Sequence, residues 1–111
     1  MSVAAKVLIP TMTSDFTITL PYTAPTTATI IDKFTATNTD SSTRTFNVYL
    51  VQAGGMAGLT TTIISALSIA AGATVDITAL QNQILMKGDF IGISASVAGV
   101  VVVRASGREI T

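Results

Sequence analysis

The chain is 111 residues long, with six basic and six acidic side chains and no His, Cys or Trp. Without His or Cys it has no Ser–His or Cys–His nucleophile pair, no thiolate, no disulfide framework, and no zinc, haem or iron–sulfur site of the ordinary kinds. Charged residues make up only 11% and the formal net charge is zero. A folded surface of roughly 5,800 Å² would then carry about one charge per 500 Å², and the scattered Lys6, Lys33, Arg44, Lys87, Arg104 and Arg108 form no basic stripe for nucleic acid.

The opening MSVAAKVLIP holds one lysine and too short an apolar run for a leader, so it reads as a mature start. A strand is predicted over Val3 to Ile9, inside an extended apolar N-terminal arm of residues 1–13 that the folded domain would not need. Phe16, Ile18 and Leu20 then alternate with Thr17 and Thr19 as far as Pro21, the period of a strand with one wet face, giving a second strand over Asp15 to Leu20. A third is predicted over Ala28 to Thr37. The cluster Asn38-Thr39-Asp40-Ser41-Ser42 turns it into a fourth, Thr43 to Gln52, in which Phe46, Val48 and Leu50 alternate with polar neighbours. Asp32 and Lys33 fall on opposite faces and are not expected to pair with each other.

Gly54-Gly55-Met56-Ala57-Gly58 is a flexible connection; it lacks the Lys-Ser/Thr of a phosphate loop and opens no helix. Thr61 to Ile69 and Thr74 to Thr78 follow as strands, joined at Ala70-Ala71-Gly72-Ala73. Residues 45–75 hold no charge at all, which raises a membrane helix as an alternative. Thr60 to Thr62, Gly58 and Gly72, and the lack of basic flanks favour two strands with a turn, and no membrane partner is expected. Ala79 to Met86 reads as one short helical connector. Lys87-Gly88-Asp89 turns into Phe90 to Val97, and Ala98-Gly99 reverses into Val100 to Arg108, apolar on both faces through Val103.

Eight strands with short turns, nineteen threonines among 111 residues and no repeat or linker predict one all-β domain over residues 1–111. Its architecture is expected to be a two-sheet β-sandwich of jelly-roll type. An immunoglobulin-like sandwich is the nearest competitor and lacks its Cys and Trp markers. The carboxylates Asp15, Asp32, Asp40, Asp76, Asp89 and Glu109 show no spacing that implies a shared cleft, and Asn38-Thr39-Asp40 is a fragment of a calcium loop at most. No catalytic, cofactor or metal residue is singled out and the chain is not expected to be an enzyme. The candidates are partner contacts. Val3, Val7, Leu8 and Ile9 supply the apolar arm, and Tyr22 stands between Pro21 and Pro25. Arg104 and Arg108 share strand parity, with Glu109 on the other face.

Three stretches carry a resemblance: IDKFTATNTDSSTRTFNVYLV (Ile31 to Val51), TIISALSIAAGATV (Thr62 to Val75) and GDFIGISASVAGVVVVRASGREI (Gly88 to Ile110). Together they resemble the capsid staple, or cement, proteins of epsilon-fifteen-like short-tailed phages, over about three quarters of the chain and without a single anchoring motif. The resemblance implies a jelly-roll homodimer on the outside of an icosahedral virion, at two-fold axes, clamping major capsid protein subunits. It implies no residue-level contacts. The alternative role is a β-sandwich module of a phage tail fibre or spike that binds a host receptor. Such a module would normally present aromatic platforms, and aromatics here are 5%.

Overall fold

The structure, a computed structural model, describes residues 1–111. It contains nine strands: β1 (Val3–Thr13), β2 (Thr19–Thr23), β3 (Ala28–Asn38), β4 (Arg44–Val51), β5 (Thr62–Ile69), β6 (Thr74–Asp76), β7 (Ile84–Met86), β8 (Phe90–Ala95) and β9 (Val101–Ile110). Single 3-10 turns at Leu59–Thr61 and Thr78–Leu80 are the only helical pieces. One sheet has the order β1-β9-β3-β6, with β7 also on β3; the other has the order β2-β8-β4-β5. Every pairing is antiparallel. The chain is thus an all-β sandwich of two sheets.

The pairing is nested. β1 pairs with β9, β2 with β8, β3 with β6 and β7, and β4 with β5, as in one long hairpin whose tip is the β4–β5 connection. Successive arms of that hairpin alternate between the two sheets. The sheets meet through Ile31, Phe34 and Ala36 of β3 and Val101, Val103 and Ala105 of β9 on one side. Phe46 and Val48 of β4 and Ile91, Ile93 and Ala95 of β8 face them, all buried. Phe34 and Phe46 touch across the middle with ring centroids 6.3 Å apart.

Two bulges let the inward positions fit. Ile31 pairs with Gly107 and Lys33 with Ser106, so Asp32 is an extra residue on β3, and Ile31 and Phe34 both face the core despite their odd spacing. On β1, Val7 pairs with Ser106 and Ile9 with Ala105, which inserts Leu8 and buries both Leu8 and Ile9. Gly107 lies between these bulges. A Cβ there would collide with the Ile30 carbonyl oxygen and stand 2.9 Å from Leu8 Cδ1. At the other end, buried Asn38 donates from Nδ2 to the carbonyls of Ser42 (2.8 Å) and Ile69 (2.9 Å) and accepts from the Asp40 N–H (2.9 Å), tying the predicted turn to the opposite sheet.

Three expectations need correction, and a fourth, strands in the charge-free window, holds. Residues 1–13 are not a free arm: β1 is paired with β9 along its length, and removing residues 2–9 would take Leu8 and Ile9 out of the core. The second strand starts at Thr19 and runs through Pro21, which an edge strand tolerates because its missing N–H would face solvent. The expected alternation does not form: residues 15–18 precede the strand and are all exposed, and a bulge between Thr19 and Tyr22 leaves Leu20 exposed while Tyr22 packs on the core. Ala79 to Met86 is no helical connector. The 3-10 turn ends at Leu80, Asn82 takes a positive φ of 67°, and β7 follows. The charge-free window 57–75 folds as a 3-10 turn with β5 and β6, and no helix is long and apolar enough to cross a membrane.

Gly107→Ala is expected to cost about 3 kcal/mol, because its new Cβ meets backbone that cannot rotate away. Ile9→Ala should cost about 2–5 kcal/mol through a core cavity. Both are read as lower urea midpoints at unchanged slope.

Candidate interaction surface

Each carboxylate has a local partner, and no group of three or more His, Cys, Asp or Glu side chains converges. Asp15 accepts from the Phe16 N–H, and Asp89 accepts from the N–H groups of Ala53 and Met86, clamping the glycine loop to the β7–β8 turn. Asp76 pairs with Lys33 at 2.8 Å. Asp40 pairs with Arg44, whose guanidinium, with the Ser41 N–H, holds that carboxyl below its usual range. Asp32 takes a two-pronged contact from Arg108 at 2.9–3.1 Å, which raises the guanidinium above its ordinary pKa. Asp32 and Lys33 thus pair away from each other, though not because they lie on opposite faces: the bulge at Asp32 puts both on the outer face, where each meets a different neighbour.

The sixth carboxylate closes the sandwich. Tyr22 Oη, from β2, donates to Glu109 Oε2 (2.7 Å) and lies 2.8 Å from Thr29 Oγ1, so one phenol links both sheets at the end where the termini meet. Burial, reinforced by Glu109, pushes the Tyr22 phenol from 10.0 up to about 12.

The seven candidate contacts divide accordingly. Leu8 and Ile9 are core residues and are not available to a partner. Tyr22 is half-buried, with its hydroxyl spent inside the molecule. Arg108 is committed to Asp32, whereas Arg104, on the same face, reaches only Thr11 Oγ1 at 3.4 Å. Val3 and Val7 remain exposed.

Register shows what surrounds these two valines, because directly opposite residues share a face. Val3 pairs with Ile110, Ile110 with Ala28, and Ala28 with Met86. The next row is Ala5, Arg108, Ile30 and Ile84. These rows form an apolar band across four strands on the outer face of the first sheet, interrupted only by the neutralised Arg108–Asp32 pair. Val3, Ile84 and Met86 are 56%, 59% and 55% exposed. Ile84 and Met86 were missed because their segment reads as helix; the signal that could have found them is the same-parity pair Ile84 and Met86. A smaller apolar patch lies on the other sheet, where Ile18, Ala57 and the Tyr49 ring close over Gly92 beside exposed Phe16 and Leu20.

The Tyr22 bridge carries a pH prediction. Because the folded pKa exceeds the unfolded one, its stabilisation is fully present below pH 10 and is lost as pH rises through about 12. The urea midpoint of the wild type should fall more steeply over that window than that of Tyr22→Phe. Comparison of the chain with family models, with curated proteins and with solved structures finds no match.

Proposed function

We propose that this chain is a bacteriophage capsid decoration, or cement, protein. In this reading it sits on the outer surface of the virion, paired as a homodimer at two-fold axes, and clamps neighbouring major capsid protein subunits. The observation that carries the reading is the apolar band Val3–Ile110–Ala28–Met86 with Ala5, Ile30 and Ile84, within which the one ion pair, Arg108–Asp32, is internally neutral. Exposed contiguous apolar faces mark interaction sites. The nested strand order, β1-β9-β3-β6 facing β2-β8-β4-β5, supports the jelly-roll assignment, since that fold is a long hairpin rolled into two four-stranded sheets.

A cement protein needs no reaction. It binds the assembled lattice and not free subunits, and so stabilises the shell by mass action. Repeated, geometrically matched sites make modest individual contacts effective. An attachment face with few free charges has little to lose to screening. A receptor-binding module would lean on aromatic platforms, and Phe16, away from this band, is the one exposed aromatic of the chain.

Two measurements test the reading on capsids stripped of this protein. Ile84→Asp with Met86→Asp is expected to weaken attachment at least about tenfold, because buried contacts of this size contribute over 1 kcal/mol each. Its urea midpoint should stay near wild type, since both side chains are exposed. Attachment of the wild type should change less than about threefold between low and moderate salt. Full attachment by the double variant, or release by a few hundred millimolar salt, refutes this surface.

A further inference from the structure

The four sheet edges differ in how they are guarded against pairing. β2 carries Pro21, β6 and β7 are three residues each, and β5 is distorted by Ala66, whose φ is +51° and whose N–H is taken by Asn47 Oδ1. Such devices blunt an edge. The first half of β1 is the least guarded: Val3 to Val7 is exposed, of full length and free of proline and bulge, and Lys6 is its single guard. No main-chain bond outside the sheet ladders involves residues 3–13.

The ladder sets which groups are free. Thr111 N–H donates to the Ser2 carbonyl at 3.0 Å, so Ser2 and Thr111 form a hydrogen-bonded pair. Strict alternation then makes Ala4–Glu109 and Lys6–Gly107 bonded pairs and turns the N–H and C=O of Val3, Ala5 and Val7 away from β9.

We propose that this edge is the homodimer interface: β1 of a second copy docks antiparallel on it about a two-fold axis through Ala5, joining two sheets into one. The proposal deepens the paired form of the function above, but its test needs no capsid. The register is self-complementary. Val3 meets Val7 of the other copy, Ala5 meets Ala5, and the outward groups of these residues make about six main-chain hydrogen bonds. Charge agrees as well. Lys6 has no ion-pair partner within the chain, and the Glu109 carboxylate has no cation. In the paired register, Lys6 lies opposite Ala4 of the second copy, whose own cross-strand neighbour is Glu109. Strands are about 4.8 Å apart, so a lysine passing over that small alanine reaches the carboxylate, and the two-fold makes the contact twice.

The chain has no native cysteine, so a single engineered one reports only contacts between copies. Opposed residues of a bonded antiparallel pair stand about 5.5 Å apart at Cα, within disulfide range. Ala5→Cys should therefore oxidise to a covalent dimer at least about tenfold faster than Thr13→Cys, at the far end of the same strand. Wild type should sediment as a dimer at micromolar concentration. Ala5→Pro, which removes an outward N–H and no bond to β9, should raise the dissociation constant at least about tenfold. A wild type that remains monomeric at about 100 µM, or an Ala5→Cys rate no faster than that of Thr13→Cys, overturns the proposal. So does a folded Ala5→Pro that dimerises like wild type; if it also fails to bind capsids, the edge takes a capsid strand instead. If Ala5→Pro does not fold, the two cysteine rates decide. Failure of dimerisation with capsid binding intact leaves the decoration reading standing and removes only this interface.

Discussion

The structure depends on the insertion of β9 between β1 and β3. That strand supplies Val101, Val103 and Ala105 to the core and the Glu109 carboxylate to the Tyr22 bridge. It also holds in one sheet two strands that would otherwise have no shared partner. The insertion is sterically exacting at one point. At Gly107 the backbone approaches Ile30 so closely that no side chain fits, and the neighbouring strands each add a residue, Leu8 and Asp32, beside it. Those added residues are not defects. Leu8 becomes core, and Asp32 becomes the carboxylate that neutralises Arg108.

The nested pairing also determines what the outside looks like. β9 alternates, so the same strand that fills the core with small and branched residues presents Val102, Arg104, Ser106, Arg108 and Ile110 outward. Most charges on this surface are consumed by neighbours, Lys33 by Asp76 and Arg108 by Asp32, which leaves Arg104 with only the Thr11 hydroxyl. Pairs of this exposure contribute little to stability. Their effect is on the surface itself, which is left with few free charges to keep it in water. The low charge of the composition is therefore sharpened by geometry into a face that is close to uncharged.

Strands with one dry and one wet face were legible in the sequence where the apolar side faces the core. β4 shows this best, with Phe46 and Val48 buried between polar neighbours, and the Asn38 to Ser42 turn was readable because its side chains bond their own backbone. Phe16, Ile18 and Leu20 carry an equally clean alternation, yet Phe16 and Ile18 precede β2 and have no strand partner, and periodicity alone cannot say whether a segment is paired. β7 was hidden because Leu80, Ile84 and Leu85 also fit a helical face, and only pairing with Ala28 to Ile30 of β3 makes the segment extended. The N-terminal segment looked detachable because its partner is a hundred residues away and nothing local records the pairing. The candidate surface inherits the same limits. Val3 and Val7 were found from composition, while Ile30, Ile84, Met86 and Ile110 join them only through register.

The hydrogen bonds between Ser2 and Thr111 hold the two ends of the chain side by side. The long hairpin is therefore almost a closed loop, and its backbone order is one of several that would trace the same sandwich. A short linker joining residues 1 and 111, with a new opening in the glycine loop at 53–58, would leave every strand pair in place. Such a circular permutant would separate the contribution of chain order from that of contacts: the β4–β5 tip would become the most distant pairing and the β1–β9 pairing a local one.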